Sequence, residues 1–147
     1  MPELPEVETV RRGLADLLPG QAVVRATVFD SPKSFPNSPT DVQQFLYGAH
    51  VTAVRRRAKV LMIDLDTRYS LVIHLKMTGQ LIFRGANSFA GGHPNDSLIG
   101  ELPDRSTRVQ IDFTDGSHLF FNDQRKFGWM KLMPTDEIEN LPFMQKV

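Results

Sequence analysis

The strongest constraint on the fold of this chain is a two-residue rhythm in its middle and later parts. In residues 69–76, Leu71, Ile73 and Leu75 fall on one side and Val72, His74 and Lys76 on the other. In residues 108–114, Val109, Ile111 and Phe113 alternate with Gln110, Asp112 and Thr114. Side chains of a strand point to opposite faces in turn, so these runs predict strands with one packed face. Asp115-Gly116 follows the second run, and an Asp-Gly pair signals a hairpin because its tight turn needs positive φ. Stretches at 21–29, 50–56, 60–66, 80–84, 117–122 and 129–133 extend the β pattern. A short basic tip separates 50–56 from 60–66.

One helix precedes the strands. Over residues 3–18, Leu4, Val7, Val10, Leu14 and Leu17 recur at steps of three and four and form an apolar stripe. Pro5 falls in the first turn, where a missing N–H costs nothing. Glu3, Glu6 and Glu8 stand at the positive end of the helix dipole, and Arg11 and Arg12 follow Glu8 at pairing distance. Pro19-Gly20 ends the helix. Gly13 inside it costs about 1 kcal/mol against alanine, which points to a close packing contact. Short helices are predicted around 40–47 and from 135, opened by Thr40-Asp41 and Thr135-Asp136. Residues 85–107, rich in Gly, Pro, Asn, Asp and Ser, read as a long loop. The expected fold class is mainly β with α. Its layout is a two-layer antiparallel β-sandwich with a long N-terminal helix and short flanking helices.

Composition narrows the possible functions. At 147 residues the chain is long enough for one domain with a real core. Its 17 basic and 17 acidic residues cancel, whereas a stand-alone nucleic-acid binder is usually basic. The basic residues are clustered, however: Arg55, Arg56, Arg57 and Lys59 in one place, Arg125, Lys126 and Lys131 in another. No apolar run reaches membrane-spanning length, and no basic start leads into an apolar stretch. No membrane partner is therefore expected, and the expected location is cytoplasmic. The absence of cysteine excludes disulfides and thiolate metal sites, and His93 has no partner pattern suggesting a metal.

The N-terminus offers chemistry. Without Met1, Pro2 carries a secondary amine, and an α-amino group titrates near about 7.7–8.0 where a lysine needs about 10.4. Glu3 and Glu6 lie within a helical turn of it. An amine beside carboxylates suits Schiff-base formation at a sugar carbon. With Met1 retained, the Pro2 nitrogen is a tertiary amide and forms no imine. The helix end favours the neutral amine and the carboxylates favour the protonated one, so the balance stays open. Taken singly, each residue also has a plainer role. Pro2 is an ordinary second residue, Glu3 and Glu6 satisfy the dipole, and Lys59 is a solvated turn lysine. His74 is structural, Met77 joins Leu75 in the core by alternation, and Phe127 packs inward from a tight turn.

Three motifs change that balance: PELPEVETVRRGL at 2–14, HLKMTG at 74–79 and NDQRKFG at 122–128. Together they resemble the formamidopyrimidine-DNA glycosylase and endonuclease VIII family of base-excision enzymes. The resemblance implies that residues 1–147 are the N-terminal catalytic domain of such a protein. The helix-two-turn-helix and zinc-finger parts are absent from this chain. No cofactor is expected here, and any zinc belongs to the missing C-terminal part. The implied activity is that of a DNA glycosylase and abasic-site lyase, acting as a monomer on damaged double-stranded DNA and associated with a bacterial-type nucleoid. It would remove oxidised purines through a Pro2 Schiff base, followed by β,δ-elimination. Relatives of the endonuclease VIII type share the same start but prefer oxidised pyrimidines, and the RKFG and HLKMTG motifs are more similar to the purine-directed branch.

By the same resemblance, the catalytic residues are Pro2 as nucleophile, Glu3 as general acid/base, Glu6 as assisting carboxylate and Lys59, which contacts a phosphate and suits stabilisation of transition-state charge. His74 contacts phosphate, and Met77 fills the gap left by an everted base. Arg125 hydrogen-bonds the orphaned partner base, and Phe127 is a wedge between base pairs. Arg57 is a weaker candidate, Lys126 stays in solvent or near phosphate, and Glu8 is structural. Two other readings remain: a non-catalytic DNA-damage-binding module, if Met1 is retained or the C-terminal half is missing, and a plain β-sandwich interaction domain.

Overall fold

The computed structural model describes residues 2–142 and 144. Helix α1 (Leu4–Leu17) comes first, with a proline in its opening turn and Glu3 as its extended N-cap. It is followed by β1 (Val23–Val28), α2 (Pro39–Phe45), β2 (Val51–Arg57), β3 (Val60–Leu65) and β4 (Tyr69–His74). The chain continues through β5 (Gly79–Arg84), β6 (Ser88–Gly92), β7 (Thr107–Phe113), β8 (His118–Asp123) and β9 (Trp129–Pro134). Short 3-10 turns occupy Pro32–Ser34, Asp96–Leu98 and Thr135–Asn140.

The strands form a five-stranded sheet in the order β1-β7-β8-β5-β6 and a four-stranded sheet in the order β2-β3-β4-β9. Each neighbouring pair is antiparallel, so the fold is the expected sandwich. The β7–β8 hairpin turns at Asp115-Gly116, where Gly116 has φ +87° and the Asp115 carboxylate accepts the Ser117 amide. Leu61, Ile63, Ile73, Leu81, Ile111 and Phe121 fill the space between the sheets.

Several expectations need correction. Val7, Val10 and Leu14 of the predicted stripe are buried, but Leu4 is exposed and Leu17 is only half-buried, while Leu18 is buried past the helix end. Strand β4 stops at His74, and its second face is not polar throughout. Val72 is fully buried beneath Ile138, together with Val60, Met62 and Met133, because Thr135–Asn140 folds back over the four-stranded sheet. That final segment is the short helix expected from 135, of the 3-10 type. Helix α2 is capped by Ser38, whose hydroxyl accepts the Asp41 amide at 3.2 Å, not by Thr40-Asp41.

The supposed loop at 85–107 contains edge strand β6. Its sequence, Ser-Phe-Ala-Gly-Gly, has one β-former, Phe89, but Gly91 lets α1 lie directly on it. A Cβ on Gly91 would come within 2.8 Å of Val10, and a Cβ on Gly13 within 2.3 Å of the Phe89 ring. The close contact expected at Gly13 is therefore real, and its partner is β6.

Strand register brings three connections to one end of the sandwich. In one sheet Val60 pairs with His74 and His74 with Trp129. In the other, Gly79 pairs with Asp123. The β2–β3 turn, the β4–β5 link and the β8–β9 turn therefore emerge together, and the start of α1 joins them through Glu3.

Candidate active site and nucleic-acid interface

Among the described residues, five non-glycine residues have positive φ, and three of them lie in these three connections. They are Ala58 (φ 49°), Lys76 (φ 53°) and Lys126 (φ 60°). Such a backbone costs on the order of 1–3 kcal/mol per residue and persists only where its surroundings enforce it. Each stands immediately before a candidate functional residue: Lys59, Met77 and Phe127. The same local device thus aims three side chains.

On the α1 side, the Lys59 Nζ donates to Glu3 Oε2 at 3.2 Å across 56 residues of chain. Pro2 is buried beside Glu3, and Glu6 is exposed one turn along, with no ion pair to its carboxylate among the described residues. The helix is fixed to β2 by Glu8. Its carboxylate accepts from Arg11 Nε at 2.8 Å, Arg12 Nε at 2.9 Å and Arg56 Nε at 2.9 Å. The Arg11 and Arg56 hydrogen bonds hold the Glu8 carboxyl well below the usual carboxylate range. Glu8 is structural, as expected, but it does more than pair along its own helix: through Arg56 it sets where Pro2 and Glu3 stand relative to Lys59. Arg57 is turned to Glu139 of the final 3-10 turn, away from this arrangement.

His74 is half-buried, and its pKa is lowered to about 4 by burial first and then by the Lys76 and Lys59 charges. The Lys76 amide donates to its Nδ1 at 3.0 Å. The ring is therefore neutral near pH 7 and carries its proton on Nε2, where it can donate to an anion. It lines a cavity of about 680 Å³ with Lys33, Lys59, Lys76, Trp129 and Lys131. No carboxylate is among the described lining residues. A chain of zero net charge thus presents four lysines around one concave surface, an arrangement that concentrates anions such as phosphates.

Beside this cavity, Phe127 and Met77 are 54% and 42% exposed. The packed-core alternatives for both are corrected by that exposure: Phe127 tips an outward turn, and Met77 lies past the end of β4, where strand alternation no longer applies. The Arg125 guanidinium lies 5.1 Å from the Phe127 ring centroid, and its Nη1 is 3.8 Å from the Met77 sulfur. Three side chains from two loops therefore form one protruding cluster. Lys126 is drawn aside to Asp30, with its Nζ 3.7 Å from the carboxylate.

Sequence reasoning missed Lys33 and Trp129 in the cavity, Arg56 on Glu8, and the pair Thr78 and Asp123 beneath the exposed cluster. Thr78 and Asp123 left a trace as members of quoted motifs, and Arg56 as a member of the basic cluster, though not as the partner of Glu8. The others meet through tertiary structure alone. For metals, the chain has no cysteine, and the described residues gather no group of three or more His, Asp or Glu. That donor set fits no zinc site.

Fold and site together define a β-sandwich domain whose one end gathers four lysines around a cavity, pairs a helix-start carboxylate with one of them, and projects an aromatic–Met–Arg cluster. The family model for the formamidopyrimidine-DNA glycosylase N-terminal domain matches residues 1–130, and the chain belongs to this family. The formamidopyrimidine-DNA glycosylase of Jannaschia sp. (strain CCS1) is 44% identical over 137 residues, covering 92% of this chain and 46% of that protein. The formamidopyrimidine-DNA glycosylase of Dinoroseobacter shibae is 37% identical over 144 residues, covering 98% of this chain and 49% of that protein. Among solved structures, the complex of Lactococcus lactis Fpg with abasic-site DNA superposes with a TM-score of 0.75 at 28% identity, over 98% of this chain and 47% of that one. The complex of wild-type Lactococcus lactis Fpg (MutM) with DNA containing N7-benzyl-Fapy-dG gives 0.76 at 28% identity, over 99% and 48%. The chain spans about half the length of the relatives it matches. No helix among the described residues is long and apolar enough to cross a membrane.

Proposed function

We propose that this chain is the catalytic N-terminal portion of a base-excision DNA glycosylase with lyase activity, acting on oxidised purines in double-stranded DNA. The observation that carries the reading is the meeting of Glu3 with Lys59 beside Pro2, at the same end as the exposed Phe127 cluster. An exposed ion pair of this kind adds little to stability, so its place at the start of α1 is better explained by chemistry. Relatives solved with damaged DNA support the choice of partner.

In this reading, removal of Met1 frees the Pro2 nitrogen. Its lone pair bonds to C1′ of the damaged nucleotide as the glycosidic bond breaks, and the base leaves with the electron pair of the broken glycosidic bond and gains a proton. Glu3 delivers and takes up protons at the sugar. Opening of the sugar ring gives an iminium ion that cannot be neutralised by losing a proton from nitrogen. It therefore acidifies C2′, and the 3′ and then the 5′ phosphate leave by β- and δ-elimination. Glu6 assists proton transfer. Lys59 and the neutral His74 hold phosphates, and Met77, Arg125 and Phe127 occupy the space vacated in the duplex. No step is assigned to a metal, and any zinc is assigned to a part of the protein outside this chain.

The test is borohydride trapping of the full-length, Met1-processed protein on abasic-site DNA, after the N-terminal mass has been measured. A covalent adduct through Pro2 is expected. Binding without an adduct would leave a damage-binding module, and neither binding nor adduct would leave an interaction domain.

A further inference from the structure

The exposed cluster sits on two loops, and one buried carboxylate joins them. Asp123, the last residue of β8, is fully buried. Its Oδ1 accepts the Thr78 hydroxyl and, at 3.2 Å, the Arg125 amide. Its Oδ2 accepts the Gly128 amide at 2.6 Å. The Arg125 amide is shared with Thr78 Oγ1, also at 3.2 Å. Asp123's own backbone is held as well: its N–H donates to Ser106 at 2.8 Å, and its carbonyl accepts Arg108 Nε at 2.9 Å. The turn carrying Arg125 and Phe127 is thus tied to this carboxylate at both ends, and Thr78 ties in the loop carrying Met77.

Gly128 makes the assembly tight. A Cβ there would lie 2.8 Å from the His74 carbonyl oxygen and 2.9 Å from Asp123 Oδ2. Among the described residues no lysine or arginine side chain forms an ion pair with the Asp123 carboxylate. Burying a carboxyl group away from water is costly, and its hydrogen bonds offset that cost. The bond to the Arg125 amide is an ordinary Asx turn, but those to Thr78 and Gly128 reach beyond that turn. A wedge that must hold its shape against stacked bases needs its support locked, because loosened side chains lose the geometry they act through.

We propose that Asp123 and Thr78 form a latch that makes the β4–β5 and β8–β9 loops one rigid insertion unit, so that Met77, Arg125 and Phe127 enter the duplex together. The proposal rests on reading those three as the residues that fill and wedge the damaged base pair. Asp123 and Thr78 touch no DNA. They are positioning residues that act through the cluster above them.

The test uses the full-length, processed glycosylase and the variants Thr78→Val, Thr78→Ser, Asp123→Asn and Phe127→Ala. Three quantities are read: single-turnover release of an oxidised purine from duplex, borohydride trapping on a single-stranded abasic oligonucleotide, and fluorescence of 2-aminopurine placed beside the lesion. T78V removes the hydroxyl with little change in volume and decides the matter if D123N folds poorly. T78V and D123N are expected to slow duplex excision about 10- to 100-fold and to flatten the 2-aminopurine rise. Single-strand trapping should stay within about twofold of wild type, and T78S should restore duplex activity. In a Phe127→Ala background, T78V should add less than about twofold, because both changes act on one step. The latch is overturned if T78V and D123N excise from duplex at the wild-type rate, or if they lose both substrates equally. If F127A is slow on duplex while T78V is normal, only the latch falls. If F127A is itself normal on duplex, the wedge reading fails and the latch with it.

Discussion

The two halves of the loop-bearing end are held by opposite means. Where α1 meets the β2–β3 turn, partly exposed charges do the holding: Glu8 on three arginines and Glu3 on Lys59. Where β5 meets β8, the holding is done by a buried carboxylate, a hydroxyl, and glycines at 79 and 128 with no room for a Cβ. Exposed ion pairs exchange partners readily and weaken in salt. Buried hydrogen bonds to a charge do neither. The contrast suits the two proposed tasks. Lys59 can leave Glu3 for a phosphate without breaking the fold, whereas a wedge must not yield.

The largest effect should come from blocking the nucleophile. A protein that retains Met1, or one acetylated on Pro2, should lose at least about 1,000-fold in trapped adduct while keeping DNA affinity. Equal trapping by blocked and free protein would leave the charge-held side without its chemistry.

The rigid side is probed next by Gly128→Ala. Overpacking against the His74 carbonyl and Asp123 should destabilise by about 1–3 kcal/mol in denaturant titration. Unchanged stability would show that the turn gives way, and that the two halves do not differ as described.

The charge-held side is probed by Glu8→Gln across pH. The native carboxyl titrates below its unfolded value of about 4.3, so its contribution is complete above that pH and is lost as acid approaches the native value. The stability gap between wild type and variant should therefore be constant from about pH 7 to 5 and close below about pH 4. A gap unaffected by acid would mean that Glu8 contributes by packing, not by charge.

The last test falls on His74, which lies between the halves. Its native pKa of about 4 is below the unfolded value of about 6.5, so the unfolded chain takes up its proton first as pH falls. Stability should decline between those two values, and His74→Gln should remove that part of the decline. An imidazole NMR titration should show the ring still neutral at about pH 5.5, and a midpoint near 6.5 would contradict the burial that lowers it.

Much of the fold could be read locally. The α1 stripe, the Asp115-Gly116 hairpin and most strands follow from periodicity and turn chemistry, both of which act over a few residues. Strand β6 could not be read, because Gly91 and Gly92 look like loop residues until α1 is known to lie on Gly91 and the start of β5 to lie against Gly92. Val72 was half-legible: alternation places it opposite Leu71, but only the fold-back of Thr135–Asn140 explains why that face is buried. For the candidate site, the three motifs named every residue but Lys59, which stood out only in the basic cluster at 55–59, and the backbone supplied their aim through Ala58, Lys76 and Lys126.

The chain's own order of residues determined which segments become helix or strand and which side chains have the chemistry to act, because propensity and residue type are properties of short stretches. Only tertiary structure decided that Glu3 meets Lys59, that Asp123 reaches Thr78 across 45 residues, and that Phe127 and Met77 face outward together. Those outcomes depend on strand register and on competition for buried space, which no local stretch encodes.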